Sequence, residues 1–136
     1  KMNVSFSRFK KQEGKRSLQI NFNGFDKIEI NNLYQTIAVK PNAKYELSFW
    51  LKTENLKSGG TPKLDVVSGK DSRAIASTEL FAAGTNDWKQ YKLSFTVPEE
   101  SEEILLRTSR GYCGDKCPIF GTMWYDNFKL EKISGE

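Results

Sequence analysis

The sequence predicts an all-β protein, an antiparallel sandwich or barrel of about nine short strands. Three observations carry this. Apolar and polar residues alternate with a period of two over most of the chain, and helical periodicity is nearly absent. Turn residues also punctuate the apolar runs: Gly24, Pro41-Asn42, Gly59-Gly60-Thr61-Pro62, Gly69, Gly84, Asn86-Asp87, Pro98 and Gly111.

In chain order, VSFSRF opens the series at Val4. SLQINF sets Leu18, Ile20 and Phe22 on one face and Gln19 and Asn21 on the other. LYQTIAV follows from Leu33. YELSFWLK sends Tyr45, Leu47, Phe49 and Leu51 inward, and Glu46, Ser48, Trp50 and Lys52 outward. PKLDVV and ASTELF come next, and YKLSFTV buries Tyr91, Leu93, Phe95 and Val97. In ILLRTS an inward set of Ile104, Leu106 and Thr108 leaves Arg107 and Ser109 outside. MWYDNFKL closes the series with Trp124 and Tyr125 on opposite faces, and a bulge at Asp126-Asn127 would decide which is buried. One-face-apolar strands turn one side of each sheet to the core and the other to water, so function is sought among the outward residues.

At 136 residues, with 38% apolar and 28% charged content, the chain is expected to form one domain, residues 1–136. It opens on Lys1 and so reads as a piece excised from a longer protein. No apolar run is long enough for a membrane-spanning helix. The net charge is +4. Residues 1–16 hold six basic side chains against Glu13 alone, a balance of +5, which leaves the remainder at −1. A terminal cluster on a near-neutral body reads as a solvated basic end, and nucleic acid is not expected as a partner.

The two cysteines, Cys113 and Cys117, are the only ones in the chain, and there is no histidine. Structural zinc needs four ligands, and Ser-His or Cys-His catalysis needs an imidazole. Cys-x-x-x-Cys is also not the spacing of thioredoxin-like redox sites. A disulfide and two free thiols remain, and the disulfide is the expectation. Four extended residues would separate the Cα atoms by about 13 Å, whereas a bridge needs them within roughly 7 Å. Gly114-Asp115-Lys116 must then fold back as a turn, which Gly and Asp favour. Such a bridge implies an oxidising compartment, periplasmic or extracellular.

GKRSLQINF, LYQTIAVKPNAKYELSFWLKT, DWKQYKLSFTVP and GTMWYDNFKLEKI, taken in this order, resemble the jelly-roll carbohydrate-binding modules, which are galactose-binding-like. The resemblance covers roughly residues 13–133. Similar modules are appended to tetratricopeptide-repeat proteins of the bacterial cell envelope. Two departures stand out: Pro41-Asn42 replaces the usual Pro-Gly turn, and the usual Asn-x-x-Phe-Glu first strand is absent or precedes Lys1. The resemblance implies an antiparallel jelly-roll β-sandwich that binds an oligosaccharide or polysaccharide. It also implies a structural calcium at Asp126, with Glu13 or Asn127 as further oxygen donors.

The candidate ligand-binding residues follow. Trp50 is a stacking platform for a sugar ring or a side chain packed beneath a loop. Glu46, Lys52 and Arg107 would take hydroxyls or acid groups, and Tyr112 on the cysteine loop and Trp124 would wall the groove. Trp88 reads as structural. Glu46 and Asp65 are expected to face one groove from adjacent strands, a pair that binding explains as well as glycoside hydrolysis would. No acid–base pair is specified, so the expectation is a non-enzyme holding a glycan in a shallow groove on one sheet. The alternative is a protein–protein or assembly module, contacting other domains of a larger cell-envelope protein, with no sugar ligand.

Overall fold

A computed structural model of the chain describes residues 2–7, 17–25, 29–110 and 118–135. Their nine strands are β1 (Met2–Ser7), β2 (Ser17–Phe25), β3 (Glu29–Ala38), β4 (Lys44–Lys57), β5 (Pro62–Ser68), β6 (Ala74–Ser77), β7 (Gly84–Thr96), β8 (Glu103–Arg110) and β9 (Ile119–Ser134). All pairings are antiparallel. A five-stranded sheet runs β1-β2-β9-β4-β7 and a four-stranded sheet runs β3-β8-β5-β6. The two pack as a sandwich, as the alternation predicted. Among the described residues no helix is long and apolar enough to cross a membrane.

The core takes in members of the predicted inward sets, Ile20, Leu47, Phe49 and Ile104, together with Val66, Ile119 and Met123. All are buried, and each such side chain contributes about 1.5–3 kcal/mol by leaving water. Phe49 is the aromatic hub, stacked on Tyr91 at 5.4 Å and on Phe128 at 5.3 Å, and edge-on to Tyr125 at 5.6 Å. The sixth strand ends earlier than ASTELF suggests. At Ser77 the chain leaves the ladder, and Phe81 drops into the core while its N–H donates to the Pro62 carbonyl at 2.8 Å.

The bulge on β9 falls where the sequence pointed. Asn127 has φ +53°, and the pairing jumps from Trp50 opposite Asp126 to Ser48 opposite Lys129. Strict alternation from Tyr125 would have put Asn127 inside and Phe128 outside. The extra residue inverts this, leaving Asn127 exposed and bringing Phe128 and Leu130 against the core. Tyr125 is the member of the Trp-Tyr pair that joins the core cluster, while Trp124 is buried outside it.

Tyr125 also ties the sheets together, since its hydroxyl and that of Thr108 lie 2.8 Å apart in the core. Burial pushes the Tyr125 phenol far above its ordinary value, so it stays neutral and shares the bond. Tyr125→Phe leaves the Thr108 hydroxyl without its partner and is expected to cost about 1–2 kcal/mol. Urea titration should show a lower midpoint with an unchanged slope, and an unchanged midpoint would remove this bond from the stability of the sandwich.

Candidate functional site

The outer face of the four-stranded sheet carries an unusual feature, a buried carboxylate. Leu64 and Val66 of β5 point into the core, so Lys63 and Asp65 between them point out. On the flanking strands the register sets Arg107 and Ser77 opposite Asp65, and Ser109 opposite Lys63. On β3, Tyr34 stands opposite Arg107. One row thus runs Tyr34, Arg107, Asp65, Ser77 across all four strands.

Every described side chain of that row converges on Asp65. Ser77 Oγ donates to Oδ1 at 2.7 Å, and Ser109 Oγ donates to Oδ2, also at 2.7 Å. Arg107 Nη2 donates to Oδ2 at 3.1 Å, and Lys63 Nζ lies 3.7 Å from Oδ1. The carboxylate is only 4% exposed, whereas the Arg107 and Lys63 side chains are about a third exposed. Burial pushes the Asp65 carboxyl up, but the hydrogen bonds from Ser77, Ser109 and Arg107 and the charge of Lys63 outweigh it. The net shift is below the ordinary value, and the group is ionised. Arg107 is less well served: its Nε is buried and has no hydrogen-bond partner among the described residues.

The other predicted residues stand on the five-stranded sheet. Glu46, Ser48, Trp50 and Lys52 share one outer face of β4, all partly buried. Lys52 Nζ meets Asp87 at 3.2 Å. Trp124, opposite Lys52 on β9, faces the same way but is only 4% exposed, and its indole N–H donates to Gln19 Oε1 at 3.0 Å. Asp126, opposite Trp50, is buried and accepts the Asn127 N–H at 2.8 Å. Among the described residues there is no group of three thiol or carboxylate ligands. Glu13, Tyr112, Cys113 and Cys117 lie outside the described residues.

The structure therefore separates what the sequence analysis grouped. Glu46 and Asp65 do not line one groove from adjacent strands, because β4 and β5 belong to different sheets. Arg107 is likewise across the sandwich from Trp50, Glu46, Lys52 and Trp124. The cause is the link between β4 and β5, which crosses from sheet to sheet. Arg110 fixes that crossing, donating from Nε to the Gly60 carbonyl at 3.1 Å and from Nη2 to Ser58 Oγ at 2.8 Å. Two hollows of about 180 and 220 Å³ lie beside Lys70 and Glu100 and beside Thr53 and Tyr91, and neither is lined by Trp50 or Arg107.

Lys63, Ser77 and the Tyr34 position were not nominated from the sequence, and Asp65 was paired with the wrong strand. A usable signal was present in PKLDVV. An Asp between Leu64 and Val66 must face out of a strand whose every neighbour is apolar or basic.

Residues 3–111 match the family described as Carbohydrate binding domain. Over 101 residues, 72% of this chain, the sequence is 33% identical to tRNA nuclease WapA of Bacillus subtilis strain 168. The match spans only 4% of that protein. Among solved structures, "CBM4 structure and function" superposes with a TM-score of 0.68 at 13% identity, covering 96% of this chain and 77% of the other. The CBM22-1 xylan-binding domain from Paenibacillus barcinonensis Xyn10C superposes with a TM-score of 0.62 at 15% identity, covering 99% and 83%. At these identities the likeness is one of fold, a jelly-roll sandwich.

Proposed function

The chain belongs to the Carbohydrate binding domain family, and from that membership we propose a non-catalytic module that holds a glycan against the outer face of its four-stranded sheet, on the Asp65–Arg107 cluster. The observation carrying this choice of face is Arg107. A guanidinium with one hydrogen bond and a buried Nε that has no partner among the described residues is costly in the free protein, and a bound ligand would supply the missing acceptor. Sugars offer many hydroxyl oxygens to preplaced donors, and Ser77 and Ser109 hold Asp65 so that Arg107 is preplaced. The opposite face is more closed, with the Trp124 indole N–H satisfied and Lys52 tied to Asp87.

Catalysis does not fit the same cluster. Both oxygens of Asp65 accept bonds that keep it ionised, so it has no proton to deliver to a leaving group and no free position to attack with. A polysaccharide ligand puts the working place of the module outside the cytoplasm, in the periplasm or at the cell exterior.

Affinity electrophoresis against a panel of soluble polysaccharides tests the reading. Wild type should be retarded by at least one glycan, and Arg107→Lys, which keeps the charge but loses the planar fork, should bind it at least tenfold more weakly. Trp50→Ala should bind as wild type does. Loss of binding in Trp50→Ala with retention in Arg107→Lys would move the site to the five-stranded sheet, and absence of any glycan binding would remove the function.

A further inference from the structure

Resting on that reading, we propose that the cluster selects an acidic glycan, one whose sugars carry a carboxylate, over a neutral one. The argument is a count of donors and acceptors that a ligand can still meet. A carboxylate offers about four lone-pair positions, and the Asp65 carboxylate has two neighbours on each oxygen. Ser77 and Lys63 stand at Oδ1, and Arg107 and Ser109 at Oδ2. Three of those positions accept hydrogen bonds, the Lys63 ammonium stands over the fourth, and the carboxylate is nearly closed to solvent.

The two cations around it are not spent. Arg107 has five N–H donors and gives one to Asp65, and its side chain stays about a third exposed. Lys63 is too far from Oδ1 at 3.7 Å for a hydrogen bond, and it too is about a third exposed. The described cluster therefore shows an approaching ligand donors and a surplus positive charge, two cations against one occupied anion. A neutral sugar hydroxyl is both donor and acceptor, and for its own O–H the described cluster offers only the Ser77 and Ser109 hydroxyl oxygens and no open carboxylate. A sugar carboxylate is acceptor-only and matches the planar fork of the guanidinium. It would also balance the surplus charge. The register of β3 sets Glu29 opposite Ser109, and neutralising an acidic position there should not weaken an anionic ligand.

The test compares polygalacturonate with the same polymer fully methyl-esterified, alongside neutral xylan, by calorimetric titration of the whole chain. Polygalacturonate should bind at least tenfold more tightly than its ester and weaken as salt is raised. Lys63→Gln should lose about three- to tenfold toward polygalacturonate and nothing toward the ester, with the thermal midpoint preserved. Glu29→Gln should bind polygalacturonate as well as wild type or better. A double variant of the basic N-terminal segment, Lys10→Gln with Lys11→Gln, should bind as wild type does. If that variant loses binding while Lys63→Gln keeps it, the polyanion is held by the N-terminal cluster and the inference falls. Equal binding of polymer and ester, weaker binding by Glu29→Gln, or binding of neutral xylan alone would also overturn the acidic preference while leaving the glycan reading intact. Binding of none of the three polymers overturns the acidic preference, and the wider polysaccharide panel then decides the glycan reading separately.

Discussion

Gly121→Ala is expected to lower the unfolding free energy by about 3–5 kcal/mol, at the upper end of what one substitution does. Gly121 lies on β9 with φ +110°, a conformation that costs an L-residue about 1–3 kcal/mol. The steric part is larger. A Cβ there would run into the Asn55 carbonyl oxygen, and would lie 2.6 Å from the Asn55 carbonyl carbon and 2.7 Å from Leu56 Cα. These are backbone atoms of β4, where the register to β9 slips between Glu54 and Lys57 and Asn55 itself has φ +53°. The bulge pushes β4 toward β9, and only a residue without a side chain fits opposite it. Relief would mean parting the central pair of the five-stranded sheet beside Leu56, which is fully buried. Thermal melts should show a midpoint lower by roughly 10–20 °C. Gly84→Ala separates the two causes, because φ there is +95° but a Cβ would meet nothing within 4 Å. It should lose only the conformational share. Equal losses at the two sites would show that the contact with Asn55 is not what excludes a side chain at Gly121.

Strand existence and facing were legible because both are local. Tyr45, Leu47, Phe49 and Leu51 are buried and Glu46, Ser48, Trp50 and Lys52 are not, as alternation requires. Thr108 and Arg107 fell on the faces that ILLRTS assigned them. What the sequence could not carry was the partition of strands between sheets. A Gly-Gly-Thr-Pro link reads alike whether it closes a hairpin or crosses the sandwich, and the deciding contact comes from Arg110, some fifty residues on. The candidate site depends on that partition. Asp65 meets Ser77 twelve residues away, and Arg107 and Ser109 more than forty away. Trp50 was singled out because an aromatic facing outward is visible in one strand. A buried Asp becomes visible only when three strands are laid side by side.

Asp65→Ala is expected to cost about 2–4 kcal/mol near neutral pH and to abolish glycan binding. Removing one member of a buried ion pair strands its partners, a loss of about 3–5 kcal/mol where they are fully enclosed. Arg107 and Lys63 are about a third exposed and recover part of their hydration, which sets the lower range. Ser77 and Ser109 also lose their acceptor. The loss should depend on pH with a definite sign. The folded-state carboxyl sits below its ordinary value of 3.8, so its stabilisation is fully present above that value and is lost as pH falls through the folded pKa. Wild type and Asp65→Ala should therefore differ most above about pH 5 and converge in strong acid. Binding should fail at every pH, because without Asp65 nothing described holds the guanidinium of Arg107 in place. Urea midpoints at neutral and acid pH, read beside glycan retardation, check both statements. A stability gap that stays constant into acid would show that Asp65 acts by packing alone. Retained binding in the variant would show that Arg107 needs no carboxylate to be positioned.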